Sequence, residues 1–460
     1  MKKNFNLRIF KLWILIGIEI LKRNRVGLIL GFVAILLIIF AQFKFKLLYH
    51  QNSITLGFIG TYQEHDLPKE VTKLLSQSLV EEGVDGRIHG SLVSGWDTNN
   101  DATIFKFKLK DGIKWIDNSP IKAKDLEFAI PNVEITTPDD KTIQFNLKES
   151  YSPLPSLLTK PVFKKNSLIG SGPYRISKIE KSRIFITKIE LTSLDSNLPT
   201  IFIRFYPSEP VAITGFNLGE VQTLLGFSNP KTFLNNPTIA LKQRVDYSKI
   251  VSILFNTTTL SNRSLRQALA FKTPKIENEQ LANNPYPPFS WGYNPDSKKY
   301  LSNPNEAQAA LERAKTTIPD EKLKAELILT TTPNLEDVGK SIVNSWKDLG
   351  LDAKIRIESG IAQNFEALLI TQSIPFDPDQ YFLWHATQTK TNLTKYDSKR
   401  VDKDLEEGRK IITEEDRKTR YFDFQKTLLE DAPAIFLYFP KYNIAYLKKK
   451  ESLLNKILSL

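Results

Sequence analysis

The sequence predicts a mixed α/β protein of two lobes preceded by one membrane-spanning helix. Three observations lead there: an uncharged apolar run near the N-terminus, a strand-rich stretch behind it, and a change after Leu260 to alternating helices and strands. At 460 residues the chain is roughly two to three times the size of a common single domain, so more than one packed unit is expected. Hydrophobic residues make up 41% and charged residues 25%, with 28 Phe and 15 Tyr, which supplies real cores and excludes wholesale disorder.

The apolar run Val26 to Ala41 reads VGLILGFVAILLIIFA and extends to Phe43 across Gln42. Eighteen residues of helix measure about 27 Å, close to the hydrocarbon thickness of a bilayer. Seven basic residues precede the run and two follow closely, so residues 1–25 are expected on the cytoplasmic side. Residues 26–43 then form a transmembrane signal anchor, 44–52 a tether, and all that follows lies outside the cytoplasm. A cleaved signal peptide is the competing reading. The run ends in AQFKFKLLYH rather than in small residues suited to cleavage, which favours an uncleaved anchor. Phe10 to Leu21, interrupted by Lys11 and Glu19, reads as an interfacial amphipathic helix or as part of a signal lead.

The net charge of +12 sits mainly at this end: nine Lys and Arg against Glu19 in residues 1–50 leave +4 for the other 410. That residual field, with no basic stripe interleaved with aromatics, excludes nucleic acid as a partner. The chain has no Cys, which excludes disulfides, thiolate zinc sites, a cysteine nucleophile and a lipidated cysteine anchor. Its four His stand far apart in sequence, and G-x-x-x-x-G-K-[ST], G-x-G-x-x-G, H-E-x-x-H and G-x-S-x-G are missing. No catalytic group, metal or cofactor is expected.

After the tether, Ile54 to Ile59 reads as a first strand and Lys69 to Glu82 as a helix on the spacing of Val71, Leu74, Leu75, Leu79 and Val80. From Ile104 the period becomes two, with Phe105, Phe107 and Leu109, and Asp111-Gly112 suggests a turn into a second short strand. Strand patterns recur at Lys141 to Leu147, Tyr174 to Ile179, Arg183 to Leu191 and Thr200 to Tyr206. Helices are expected at Arg263 to Phe271, Asn305 to Ala314, Leu335 to Leu349, Asp402 to Ile412 and Glu414 to Leu429. Strands Ala325 to Leu329, Asp352 to Ile357 and Ala367 to Ile370 alternate with them, and Ala434 to Phe439 and Ile444 to Leu447 close the series. Two lobes follow: residues 53–250 with 433–450, and residues 251–432.

Gly90 to Leu126, GSLVSGWDTNNDATIFKFKLKDGIKWIDNSPIKAKDL, resembles the signature region of the family 5 extracellular solute-binding proteins, the peptide- and nickel-binding receptors of ABC importers. Further matches follow in the family's order: PDDKTIQFNLKESYSP at Pro138 to Pro153, IGSGPY at Ile169 to Tyr174, FNT at Phe255 to Thr257, SLRQALA at Ser264 to Ala270, FDPDQYF at Phe376 to Phe382 and LLEDAPAIFLY at Leu428 to Tyr438. The resemblance spans about residues 54–447. It implies a two-lobed, periplasmic-binding-protein-like fold of class II, peptide-binding type. One departure stands out: Ile130 to Thr136 is abbreviated, so the small subdomain of the first lobe, about residues 76–158, should be trimmed.

The resemblance implies a ligand cleft between the lobes. Asp377 and Asp379 with Tyr381 and Trp384 form the best candidate site, because an aspartate near this loop pairs with the peptide's α-amino group in peptide-binding relatives; a cap and turn made by the same Asp-Pro-Asp is the alternative. Asn256 and Thr257, at a strand end, line the cleft or cap the next element. Tyr62 and Trp96 are further candidates that a core could equally absorb. Gly170 and Gly172 read as packing positions before hinges, and Arg266 as a structural ion-pair partner. The expected function is an anchored receptor that binds a peptide or other small solute and presents it to ABC permease subunits. A surface hydrolase on the same scaffold and a sensory receptor without an importer are the alternatives.

Overall fold

A computed structural model describes residues 12, 13, 15 and 52–459, apart from 361 and 363. The anchor expected at 26–43, nearly all of the segment expected on the cytoplasmic side and nearly all of the expected tether lie outside the described residues. Among the described residues no helix is long and apolar enough to cross a membrane.

The first lobe is built on a seven-stranded sheet in the order Ile239–Val245, Lys441–Leu447, Thr223–Phe227, Ser53–Ile59, Thr200–Tyr206, Phe185–Ser193 and Tyr174–Ser182. The Ser53–Ile59 strand is central and parallel to both neighbours, and Ile54, Leu56 and Phe58 are buried in the core beneath it. The second lobe has a six-stranded sheet in the order Gln280–Leu281, Ala434–Phe439, Lys249–Phe255, Ala367–Ser373, Leu327–Thr331 and Ala353–Ile357. Ile250 to Phe255 are all buried because separate cores cover the two faces of that sheet, one holding Ile253 and Phe255, the other Ile250 and Leu254.

The chain passes between the sheets at 245–249 and again at 439–441, where Asp246 N–H donates to the Pro440 carbonyl (2.8 Å). Strand Ala434–Phe439 pairs with Lys249–Phe255. The return to the first sheet therefore falls at Pro440 and not at 433, and residues 249–250 already belong to the second sheet. Composition could not show this, since the strands on both sides of Pro440 are rich in apolar residues and only their pairing tells the sheets apart.

A four-stranded antiparallel sheet, Val93–Thr98, Ile104–Leu109, Thr142–Leu147 and Val133–Thr136 in the order 93, 104, 142, 133, forms a third body with its own core around Phe105, Phe107 and Phe145. Ile104–Leu109 alternates exposed and buried, as its period demands. The turn at Gly112 does not start a ladder: Lys114 makes only an isolated bridge to Pro120, and the true partners of the 104 strand are 93–98 and 142–147. Lys69 to Glu82 is likewise not one helix. It stops at Leu75, and Val80–Glu82 is a strand. At the break Gly170 and Gly172 press so closely on the backbone of Leu74 and Leu75 that a Cβ at either would meet a main-chain carbonyl.

Two helices of the second lobe open on side-chain caps, Asn262 accepting from Leu265 N–H and Asn303 from Glu306 N–H, whereas Ser398 and Thr413 at the starts of two others make none. Helix Lys399–Gly408 starts and ends earlier than its sequence pattern suggests. Gly408 lies against the Tyr421 ring, a position with no room for a larger residue, and the chain then turns out so that Arg409 faces the other lobe.

Candidate functional site

The loop after strand Ala367–Ser373 folds on its own carboxylates. Asp377 accepts from Asp379 N–H (3.0 Å) and Asp379 from Tyr381 N–H (3.2 Å), two consecutive turns of the kind short acidic side chains make. Both carboxylates are buried, a position tolerable only with cations beside them. Arg417 supplies one, its two terminal nitrogens donating to Asp377 at 2.6 and 3.1 Å. The same guanidinium donates to the Gly408 carbonyl (2.9 Å) and lies over Trp291 (5.0 Å). Arg409 supplies the other, 3.0 Å from Asp379.

These two pairs differ in what else they touch. Asp377, Arg417, Trp291 and Tyr421 are all residues of the second lobe, closed in by one another. Arg409 lies where the lobes meet, with its guanidinium carbon 4.1 Å from the Tyr381 ring of its own lobe and 5.0 Å from the Tyr151 ring of the small sheet's body. Burial pushes the Asp379 carboxyl above the usual carboxylate range, and Arg409 opposes that shift. Burial and the Asp379 charge together push the Tyr151 phenol up as well, so it stays a neutral hydroxyl.

The backbone continues the junction. Ser152 N–H and its hydroxyl both donate to the Arg409 carbonyl (2.8 and 3.1 Å), and Arg87 donates twice to Glu414 (3.0 and 2.6 Å). Gly86 leaves no room for a Cβ beside the Phe289 carbonyl. The small sheet's body thus rests directly on the 409–414 turn of the second lobe.

Of the other sequence-predicted residues, Tyr381 stands in the junction and stacks on His385 (4.1 Å). The His385 Nδ1 accepts from Thr387 N–H (3.2 Å), which leaves Nε2 to donate to Glu406 (3.0 Å). Trp384 is buried in the second lobe, its indole N–H donating to Gln380 (2.8 Å) and its ring against Phe436. Asn256 donates to the Phe365 carbonyl (3.1 Å) and accepts from Thr258, a cap on its own turn. Thr257 ties that turn to the Thr394 carbonyl through both its N–H (2.9 Å) and its hydroxyl (3.1 Å). Tyr62 and Trp96 pack inside the first lobe: the Tyr62 hydroxyl donates to the Ile59 carbonyl (2.9 Å) beside Phe205, and Trp96 stacks on Phe107 (5.5 Å).

The structure brings Asp377, Asp379, Tyr381 and Trp384 together and leaves Tyr62 and Trp96 apart from them. Arg266 is held by carbonyls rather than by an acid, donating to those of Leu260, Ser261, Asp431 and Ala432. Sequence reasoning missed Arg409, Arg417 and Tyr151. One signal pointed to partners of their charge: two acids two residues apart in a loop framed by apolar residues need cations beside them once buried, though the sequence does not say which cations.

Comparison with known proteins agrees with this architecture. The sequence profile of the bacterial extracellular solute-binding proteins, family 5 middle, matches residues 87–393. The chain is 22% identical over 443 residues to the probable D,D-dipeptide-binding periplasmic protein DdpA of Escherichia coli strain K12, covering 81% of this chain and 84% of that protein. Its fold is similar to that of NikZ from Campylobacter jejuni in complex with Ni(L-His), with a TM-score of 0.68 at 19% identity over 86% of this chain and 94% of the other. It is also similar to the periplasmic murein tripeptide-binding protein MppA in its unliganded open form, with a TM-score of 0.66 at 18% identity over 86% and 93%. Two α/β lobes, a small antiparallel sheet on the first and a profile match across both are the marks of one group, and the chain belongs to the bacterial extracellular solute-binding proteins, family 5.

Proposed function

We propose that this protein is the membrane-anchored receptor of an ABC importer, that residues 26–43 hold it in the bilayer, and that it binds a peptide between its lobes by closing around it. The observation that carries the reading is the set of groups at the junction: a buried carboxylate, Asp379, with a guanidinium and two tyrosines drawn from both lobes. Such a set suits a zwitterionic ligand with amide bonds, since carboxylate and guanidinium offer charge-assisted hydrogen bonds and the rings offer apolar walls. Each charge-assisted bond in a closed cleft supplies about 2 kcal/mol.

Closure needs no covalent step. A ligand that touches both lobes only when they are together shifts the population toward the closed form, which a permease can sense. The double passage at 245–249 and 439–441 is the natural hinge. Among the candidates, Asp379 and Tyr381 face the ligand, Asp377 sets the loop, and Asn256, Thr257 and Trp384 support it. DdpA and MppA are by name peptide binders, and NikZ was solved with nickel and histidine. The peptide reading is favoured by the acid, cation and aromatics at the junction.

The test is to purify the full chain in mild detergent and identify by mass spectrometry what co-purifies. Asp379→Asn is then compared with the parent for the free-amino peptide found and for its N-acetyl form. Loss confined to the free amine supports the reading. Turnover of the peptide overturns it in favour of a hydrolase.

A further inference from the structure

The first lobe brings both ends of its chain to one edge. Strand Ser53–Ile59 starts beside the C-terminal helix Glu451–Leu458, whose Leu454 and Ile457 share a core with Ile54, and the Lys450 ammonium donates to the Ser53 carbonyl (2.8 Å). This is the end of the seven-stranded sheet farthest from the hinge, because Lys441 and Val245 stand at the hinge end and Leu447 and Ile239, paired with each other, at this one.

The surface here is basic. Lys448, Lys449 and Lys456 are exposed, Lys450 is half-buried, and among the described residues no carboxylate lies within ion-pair distance of the three exposed ones. The one acid in the run, Glu451, accepts from the Tyr446 hydroxyl (2.8 Å). Burial and the Lys449 charge both lower the affinity of Lys450 for its proton, a sign of how closely the cations are set. Lys448, Lys449 and Lys456 line a wide depression of about 770 Å³ with Glu451, Ser452, Asn455 and Ser459. Two large apolar side chains are exposed on the same elements: Leu458 on the helix, and Leu194 near a turn held to the helix by Lys456, which donates to the Asn197 carbonyl (2.9 Å).

We infer that this edge is a footing on the bilayer, recognising anionic phospholipid headgroups with its lysines and the acyl boundary with Leu458 and Leu194. The inference rests on the anchor reading. Nine residues separate Phe43 from Ser53, and fully extended they reach about 30 Å. Lys44 and Lys46 add two cations to that stretch. A tether of that length keeps the lysine edge close to the surface, where each lysine near an anionic leaflet is worth about fivefold in occupancy and the attraction fades beyond about one Debye length. Exposed leucines among lysines are the composition of interfacial segments. The footing fixes the first lobe against the membrane and leaves the second to swing on the hinge.

The chain has no Cys, so a single spin label is unambiguous. The full chain carrying Ser452→Cys or, at the hairpin tip by the hinge, Ser182→Cys is labelled and placed in nanodiscs of phosphatidylcholine with and without phosphatidylglycerol. In phosphatidylglycerol discs the label at 452 should gain contact with dissolved oxygen and lose contact with a water-soluble nickel chelate, while the label at 182 stays aqueous. Molar salt, or Lys448→Glu with Lys449→Glu, should reverse the shift by more than about tenfold in occupancy. A label at 452 equally aqueous in both lipids, in a chain that co-elutes with the discs, overturns the footing and leaves the anchor standing. A chain that fails to enter the discs removes the anchor, and the footing with it.

Discussion

Arg417 grips Asp377 with two hydrogen bonds, at 2.6 and 3.1 Å, in a place where neither side chain meets much water. The fork locks the Asp-Pro-Asp loop from behind and so sets the position of Asp379 and Tyr381 in front. Removing one partner strands the other charge. Arg417→Met is expected to lower stability by about 3–5 kcal/mol. Arg417→Met with Asp377→Asn should recover a good part of that. Denaturant unfolding of the three chains measures both, and equal losses for single and double variants would show that packing of the arginine stem, not the stranded carboxylate, dominates.

Arg409 has the opposite placement, paired with Asp379 and lying 4.1 and 5.0 Å from tyrosine rings of the two lobes. Arg409→Ala should free the lobes, since a desolvated cation over aromatic rings contributes about 1–2 kcal/mol and the closed population shifts by roughly tenfold for each 1.4 kcal/mol. The radius of gyration in small-angle scattering should rise without added ligand. Arg409→Lys, which keeps the charge but loses the planar stacking, should fall between. Arg87→Ala, which removes an exposed pair with Glu414, should change closure by less than about 1 kcal/mol, an effect that vanishes in high salt.

Asp404 makes the protein's stability depend on pH in an uncommon direction. Burial, helped by the Asp423 charge and opposed by Arg400 and Arg420, pushes its carboxyl up to about 6. One of its oxygens, Oδ2, is buried without a hydrogen-bond partner. The folded state then holds a proton that the unfolded chain releases near pH 4, so this group's contribution to stability falls as pH rises between about 4 and 6. Asp404→Asn should raise stability at pH 7 by roughly 1–2 kcal/mol and change it little at pH 4. Thermal unfolding across that range tests the sign; a variant less stable at pH 7 would refute it.

Gly170 is buried with the Leu75 carbonyl where its Cβ would stand. Gly170→Ala should destabilise by about 1–3 kcal/mol or more, because backbone on both sides has to move. Gly95→Ala is the control, since nothing lies within 4 Å of the Cβ there. Calorimetric melting of both variants distinguishes a packing position from a tolerant one.

Periodicity was legible wherever it was local. The alternation of Ile104 to Leu109 and the apolar faces of the helices from Arg263 onward can be read along the chain because each depends on neighbours within one or two turns. The ordered motifs went further and disclosed the two-lobed architecture. The loop at 377–381 was legible as a place where carboxylates gather.

What those carboxylates face was not legible. Arg417 stands 40 residues from Asp377 along the chain, and Ser152, whose backbone and hydroxyl bring Tyr151 to Arg409, is 257 residues from it. The point of return to the first sheet, at Pro440, was hidden for the same reason: strands on both sides of it are apolar, and only register says which sheet each joins. Sequence pattern alone determined the class and order of the strongly periodic elements, because burial of a face repeats with the period of the backbone, but not the break at Leu75 or the end of pairing at Gly112. Tertiary structure alone decided which arginine neutralises which aspartate and which side chains from separate lobes share the junction, because a buried charge is stabilised by whatever the fold carries to it across long stretches of chain.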